Sequence, residues 1–515
     1  MNSVERIDSG IGRRRLFGVA ATRRFEIAAG AGLPSFALMA RAGEAAARLA
    51  LALAPHAQHV RVYAGPGHNG GDGIEAAVRL REFGKRVSVR LVDAAAEPPA
   101  LVAEALARAA RAGVAVQAFT GSGSGADDDG PPELVIDALL GIGASRPAIG
   151  AMRTAIEAIA AHAERGSRVL ALDTPSGLDP DRGQPIGPAC VQAHDTLTML
   201  TLKPGLFTAS GRDHAGRVWL AALDVDTDAG PPGAWLCGST DPSCRQAPRR
   251  HARHKGSYGD VAVVGGSAGM TGAAWLAARA AHAAGTGRVC VDVLDTGDSA
   301  ASFDPSRPEL MFRNGWWQGP VEVLAGSTVV CGCGGGDAVR VALPRLLSTV
   351  PRLVLDADAL TALAGDSSLA SLAVARRGRG FATVLTPHPL EAARLLGCTT
   401  IEVQADRLAA AGAIADRFAA VVVLKGSGTV VAAPGQTPRI AATGNAALAS
   451  AGTGDVLAGW IGGRWASAMA EPGAAEPIDV ATRCVVEHGA AAEPEEPGPM
   501  RAADLVEVLY RRSRT

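Results

Sequence analysis

Short aliphatic and β-branched runs alternate with longer Ala-rich stretches of helical period along most of the chain. Between residues 59 and 225, the runs 59–64, 86–92, 134–139, 168–173 and 217–225 read as strands, and 73–83, 101–112 and 151–165 as amphipathic helices. This alternation predicts a mainly parallel sheet covered by helices on both faces. Residues 226–250, rich in Gly, Pro, Ser and Asp, lose the period and read as an interdomain connection. Alternation then resumes, with strands expected at 260–264, 288–293, 328–332, 353–356, 382–386, 421–425 and 429–432, and helices at 455–469 and 502–512. The pattern therefore predicts two α/β domains, 1–227 and 251–515, joined by a linker over 228–250. Their loop motifs differ, so they are not repeats.

Composition adds exclusions. With 50 basic and 51 acidic residues, nothing marks a nucleic-acid surface. No apolar run is long enough to span a membrane. The 8 Cys, among them Cys190, Cys244, Cys331 and Cys333, show no zinc spacing and read as reduced thiols of a cytoplasmic protein. Arg13-Arg14-Arg15 before an apolar run faintly resembles an export signal. Arg23, Arg24 and Glu26 interrupt that run, so the segment is read as a helix of the folded domain. Nearly all basic residues are Arg; only Lys85, Lys203, Lys255 and Lys425 are Lys. A Lys kept against that bias suggests a need for a compact ammonium, and Lys255 and Lys425 both fall in Gly-rich loops.

Chemistry concentrates in loops after strands. Gly65-Pro66-Gly67-His68-Asn69-Gly70-Gly71-Asp72-Gly73 joins a strand to a helix. Such a turn presents backbone N–H groups to a phosphate, although it is neither a Walker A loop nor a Rossmann GxGxxG. Asp137 and Asp173 each end a strand, the first before Ala-Leu-Leu-Gly-Ile-Gly and the second before Thr-Pro-Ser-Gly-Leu-Asp. An isolated Asp there often caps a helix, but three such loops together argue for one crevice at the strand ends. In the second half, Gly452-Thr453-Gly454-Asp455 precedes a helix of good period. An anion cradle beside a carboxylate is what phosphoryl transfer to a hydroxyl requires. Lys425 opens Lys-Gly-Ser-Gly-Thr and reads as a phosphate contact, while His388 between two prolines, like most lone His, reads more readily as structural than functional.

The first set resembles the YjeF N-terminal family, the NAD(P)H-hydrate epimerases, whose pattern is close to GPGNNGGDG, DALxGxG and DxPSGLD. Leu38-Met39-Ala40-Arg41-Ala42-Gly43 looks like that family's LMERAG helix. The resemblance implies a Rossmann-like three-layer domain. It implies that Asn69, Asp137 and Ser176 hold K⁺, and that His68, Asn69, Gly70, Gly71 and Asp72 contact the hydrated nucleotide. Gly141, Ile142, Gly143, Ala144, Ser145, Arg146, Pro147 and Asp173 would join them, with Asp173 moving the proton at C6. His68 stands where that pattern has Asn.

The second set, HKGSYG, GGSAGMTGAA, DADAL, LTPHP, LKGSGT and GTGD, resembles the YjeF C-terminal family. These are ADP- or ATP-dependent NAD(P)H-hydrate dehydratases of ribokinase-like fold. The resemblance implies that Lys425, Gly426, Ser427, Gly428, Thr429 and Gly454 bind ADP with Mg²⁺. Ala273, Gly334, His388 and Asp455 would face the substrate, and Asp455 would activate the C6 hydroxyl for phosphorylation before phosphate is lost. Cys333 and Leu390 depart from the family's GPGLG and PHPGE. The implied enzyme is a homo-oligomer acting on NADHX and NADPHX. The alternative is a ribokinase-like small-molecule kinase whose first domain only binds nucleotide.

Overall fold

The computed structural model describes residues 4–93, 97–121, 130–241, 251–294, 303–468, 476–493 and 498–514. Two compact units emerge, one formed by Met1–Asp8 with Arg15–Ala234 and the other by Ser9–Arg14 with Trp235–Thr515. The boundary differs from the sequence reading, which starts the second domain at 251 and treats 228–250 as linker. Ala234–Cys237 is a strand pairing in parallel with Arg439–Ala441, and Arg13–Leu16 lies beyond it on the same edge of the second sheet. The Arg13 segment is thus a strand rather than a helix, and the helix begins at Val19. Four-residue edge strands are too short for alternation to reveal. Cys244, residues 242–250 of the expected linker and Met469 lie outside the described residues.

The first sheet has eight strands, in the spatial order Val4–Ile7, Arg217–Ala221, Asp195–Met199, Arg168–Leu172, Leu134–Ala138, His59–Ala64, Arg86–Val92, Ala115–Phe119. All neighbours are parallel except the first pair. Its central strands are buried on both faces, as parallel strands require. Leu134, Ile136 and Ala138 enter one core cluster while Val135 enters the other, following the two-residue period of a strand. From His59–Ala64 the chain order runs one way along the sheet, and from Leu134–Ala138 it runs the other. Ligands bind at such a switch point, beyond the carboxyl ends of the two strands.

The second sheet has eleven strands and switches between Asp260–Gly265 and Thr328–Cys331. Strands Val421–Leu424, Val430–Ala432 and Arg439–Ala441 extend it as an antiparallel meander. Helix Thr453–Ala468 packs on helix Thr271–Ala283 at very close range. A Cβ on Gly459 would lie 2.0 Å from the Ala277 carbonyl oxygen, and one on Gly463 2.4 Å from that of Ala281. Gly opposite Ala lets the two backbones nearly touch, which fixes where the first helix begins and hence where Asp455 stands. Among the described residues no helix is long and apolar enough to cross a membrane.

Candidate active sites

At the first switch point, helix His68–Glu82 begins directly after Gly67. The sequence reading starts it at 73, because Gly70, Gly71 and Gly73 weaken helix propensity. Packing overrides propensity here. A Cβ on Gly70 would sit 1.9 Å from the Gly65 carbonyl oxygen, and one on Gly73 2.4 Å from the Ala138 Cβ. Only Gly lets this helix start flush against the sheet. Gly67 provides no side-chain cap, so the first N–H groups of the helix are open to an anion.

The predicted K⁺ ligands gather around residues 139–141. Asp137 is fully buried and accepts bonds from the Ser176 N–H (2.8 Å), the Ser176 hydroxyl (2.6 Å) and the Leu139 N–H (3.2 Å). Burial pushes its carboxyl up to about 6, against the pull of the Ser176 bonds. The Leu140 N–H donates to Ser176 Oγ at 2.9 Å. Gly141 is wedged between Asp173 and Asn69, a Cβ there lying 3.1 Å from Asp173 Oδ2 and 3.2 Å from Asn69 Cβ. Both polar atoms of the Asn69 side chain are buried without a hydrogen-bond partner among the described residues. A buried amide left unmatched calls for a ligand, and an oxygen-seeking cation fits it.

Asp173 adopts a left-handed backbone, φ 65°, a strain that persists where the surroundings fix a functional geometry. Its Oδ2 accepts the Ile142 N–H at 3.0 Å and its Oδ1 the Lys203 ammonium at 2.6 Å. Lys203 is completely buried and spends its other protons on Thr198 Oγ1 (2.9 Å) and the Met199 carbonyl (2.8 Å). A cavity of about 560 Å³ opens beside this pair. His68, Asn69, Asp72, Gly141, Ile142, Gly143, Ala144 and Asp173 line it. Gly70 and Gly71 are buried behind its wall, and Ser145, Arg146 and Pro147 are exposed outside it. Enclosure and the neighbouring charges of Asp173 and Glu26 raise the Asp72 carboxyl well above its ordinary range. The sequence reading misses Lys203, Arg23 and Glu26, the last two also in the wall. For Lys203 the signal was present, because it is one of four Lys among Arg.

The second switch point assembles the other predicted set. Gly334, at φ 60°, nestles on Ala273, with 3.0 Å between a Cβ placed there and the Ala273 Cβ. Lys425 has its N–H bonded to the Pro387 carbonyl at 2.9 Å, tying the Lys-Gly-Ser-Gly-Thr loop to the His388 loop. Its ammonium donates to Asp356 Oδ1 at 2.7 Å and lies 3.3 Å from a Cβ placed on Gly454. Burial alone would lower Lys425, but the Asp356 and Glu391 carboxylates outweigh it and raise the group. Buried Arg407 donates to the Leu424 and Lys425 carbonyls, each at 3.1 Å, and braces the loop from beneath.

His388 turns out to have a structural task. Its Nδ1 accepts the Leu390 and Glu391 N–H groups as the cap of helix Pro389–Leu396, and Glu391 returns a bond to the His388 N–H at 2.8 Å. The other ring nitrogen, Nε2, lies 3.3 Å from Glu391 Oε1. Asp455 stands in the first turn of helix Thr453–Ala468, after the position a cap would take. Its carboxylate, that of Asp356 and the Cys333 thiol lie within 4.8 Å of one another. Burial first, then the Asp356 charge, push Asp455 up to about 6, opposed by a hydrogen bond from Cys333 and by Lys425. The Cys333 thiol, raised by burial and by the Asp455 charge, stays protonated and is a poor Mg²⁺ ligand.

Family models match both halves: one described as YjeF-related protein N-terminus over residues 35–205, one as NAD(P)H-hydrate dehydratase over 261–511. The Bifunctional NAD(P)H-hydrate repair enzyme Nnr of Escherichia coli (strain K12) is 36% identical over 477 residues, 90% of this chain and 85% of that protein. The chain belongs to the bifunctional NAD(P)H-hydrate repair enzyme family. Its counterpart from Coxiella burnetii is 34% identical over 87% of this chain and 89% of its own length. A solved ADP/ATP-dependent NAD(P)H-hydrate dehydratase from Bacillus subtilis, co-crystallized with ATP/Mg²⁺, is 28% identical with a TM-score of 0.42, covering 53% of this chain and 95% of that one. Both matched halves hold mainly parallel sheets, as the sequence reading expects of two α/β domains.

Proposed function

We propose that the first unit epimerises the R and S hydrates of NADH and NADPH, and that the second dehydrates the S form with ADP as phosphoryl donor. The observation that carries this reading is a recurrence. At each switch point a Lys pairs with one Asp, buried Lys203 with Asp173 and half-buried Lys425 with Asp356. A second carboxyl close by, Asp72 or Asp455, is shifted upward. A carboxyl raised toward the working pH in an enclosed site is suited to proton transfer.

In the first site Asp72 protonates the departing C6 hydroxyl while the ring nitrogen's lone pair forms the iminium. Water then adds to the opposite face and yields its proton to Asp173; Asp173 releases that proton to solvent and Asp72 takes one up, which restores the starting state. Asn69, Asp137 and Ser176 would hold K⁺, which would supply fixed positive charge. His68, Gly141, Ile142, Gly143 and Ala144 position the nucleotide.

In the second site Asp455 takes the proton of the C6 hydroxyl. Lys425 and the N–H groups at Gly454 steady the phosphoryl group, with Gly426, Ser427, Gly428 and Thr429 around the rest of ADP. Mg²⁺ bound to the nucleotide would offset its charge. Ala273, Gly334 and His388 Nε2 hold the hydrate. Loss of phosphate from C6 and a proton from C5 restores the dihydropyridine. A cytoplasmic homo-oligomer acting on these small molecules belongs to the same reading.

The test is recovery of dihydropyridine absorbance from a mixed R/S hydrate pool with Mg²⁺, with and without ADP, in K⁺ or Na⁺ buffer. ADP-dependent recovery beyond the S fraction, over the spontaneous epimerisation in an Asp173→Asn control and faster in K⁺, is expected. Recovery that halts at the S fraction removes the epimerase assignment. Recovery without nucleotide, or none with it, removes the phosphorylation route.

A further inference from the structure

The wall of the epimerase cavity carries more carboxyls than cationic side chains, although its substrate is anionic. Three carboxyls stand in its wall, Glu26, Asp72 and Asp173. His68, with Nδ1 3.9 Å from Glu26, contributes positive charge only when protonated. Lys203 is beneath the surface with its protons committed, and Arg146 lies outside the wall. Among the described residues of the wall, Arg23 is the sole Lys or Arg.

Arg23 is also placed rather than merely present. It follows Thr22, which is buried and bonded through its hydroxyl to Thr201 at 2.7 Å. The start of its helix is fixed by the Val19 N–H donating to Asp181 at 2.8 Å. The Arg23 side chain is exposed and makes no ion pair or hydrogen bond among the described residues. One Nη lies 3.6 Å from a Cβ placed on Gly143, so the guanidinium hangs over the 141–144 loop at the cavity wall. The uncapped start of helix His68–Glu82 opens into the same cavity through Gly67 and His68.

A dinucleotide hydrate brings a pyrophosphate, and in the NADP form a further 2′-phosphate. A phosphate entering beside Glu26 and Asp173 needs a cation to meet it, and an unpaired Arg fork matches phosphate oxygens. We propose that Arg23 anchors a phosphate of the hydrated dinucleotide over the 141–144 loop. The assignment rests on the epimerase reading of this cavity.

The experiment uses full-length Arg23→Ala and Arg23→Lys proteins, with Arg146→Ala as the comparison. Epimerisation of the R hydrates of NADH and NADPH gives KM and kcat separately. Calorimetric titration with NAD⁺ and NADP⁺ reads binding without turnover, and because the second site is identical in every variant, the change between wild-type and variant proteins isolates the first site. It therefore tests Arg23 even if the epimerase reading fails, which a wild-type protein unable to epimerise would reveal. Arg23→Ala is expected to raise KM and Kd about tenfold or more, with kcat within about twofold, with partial rescue in Arg23→Lys. An equal loss for both dinucleotides assigns the pyrophosphate, and a loss confined to the NADP form assigns the 2′-phosphate. Unchanged KM and Kd in Arg23→Ala, or a loss seen only in Arg146→Ala, overturns the proposal. Thermal melting checks that the exposed substitution leaves the fold intact.

Discussion

The Asp455 carboxyl makes the dehydratase half measurable through pH. Burial and the Asp356 charge place it at about 6, and it must be ionised to accept the hydroxyl proton. At about pH 7 roughly 90% of it is ionised, and at about pH 5 roughly 10%, so the chemical step should slow about tenfold between them. Activity rises with pH through this window and levels off above it. The Cys333 bond holds the group down, so Cys333→Ala should move the midpoint upward by a fraction of a unit to about one unit, and Asp455→Asn should abolish the step throughout. The assay is AMP formation in a single turnover of pure S hydrate, quenched on the timescale of the reaction. AMP avoids the acid lability of the dihydropyridine, and single turnover avoids product release. A wild-type rate flat from about pH 5 to 8 would refute the base assignment. A normal profile whose midpoint does not move in Cys333→Ala would refute the role of the thiol.

Two further substitutions probe the first unit. Lys203→Met removes three donor contacts and leaves Asp173 without its counter-ion, so epimerisation should fall by about a hundredfold or more. The unit's stability should drop by about 3–5 kcal/mol, while dehydration of supplied S hydrate persists; normal consumption of R hydrate in this variant would contradict the pairing argument. Gly70→Ala forces a Cβ to 1.9 Å from the Gly65 carbonyl oxygen. Backbone on both sides leaves little to yield, so the first unit should lose about 1–3 kcal/mol and most epimerase activity, read by calorimetry with the second unit's transition as internal reference.

What the sequence conceals follows from where its periodicity fails. The buried central strands, such as His59–Ala64 and Arg288–Val293, are legible as apolar runs because both faces meet helices. Asp195–Met199 is not, since its Asp and Thr residues look solvent-facing. In the structure Asp195 is fully buried and paired with Arg168 and Arg217, with Trp219 donating to it as well. A charge whose partners come from two other strands cannot be recognised from local pattern. Ala115–Phe119 and Arg439–Ala441 are missed for their brevity and exposed or polar positions. The site loops were legible because Gly, Asp and Ser cluster there, but their motifs contain only part of the chemistry. His388 lies within a motif and caps a helix; Lys203 lies outside every motif and binds Asp173.

The scarcity of Lys carries the more general point. Of the four, Lys85 reaches the Pro55 carbonyl from an exposed position and Lys255 is exposed. Lys203 and Lys425 each deliver a compact ammonium to an Asp at a switch point. At Lys203 the three protons meet a carboxylate, a hydroxyl and a carbonyl arranged around one nitrogen. A planar guanidinium, longer and with its donors spread over three nitrogens, has no such fit. A Gly-rich loop therefore marks Lys425 rightly, but it marks exposed Lys255 as well and misses Lys203. The useful companion to a rare Lys is an Asp that can reach it across the fold. That pairing appears only once Asp173, Thr198 and Met199 are brought around residue 203.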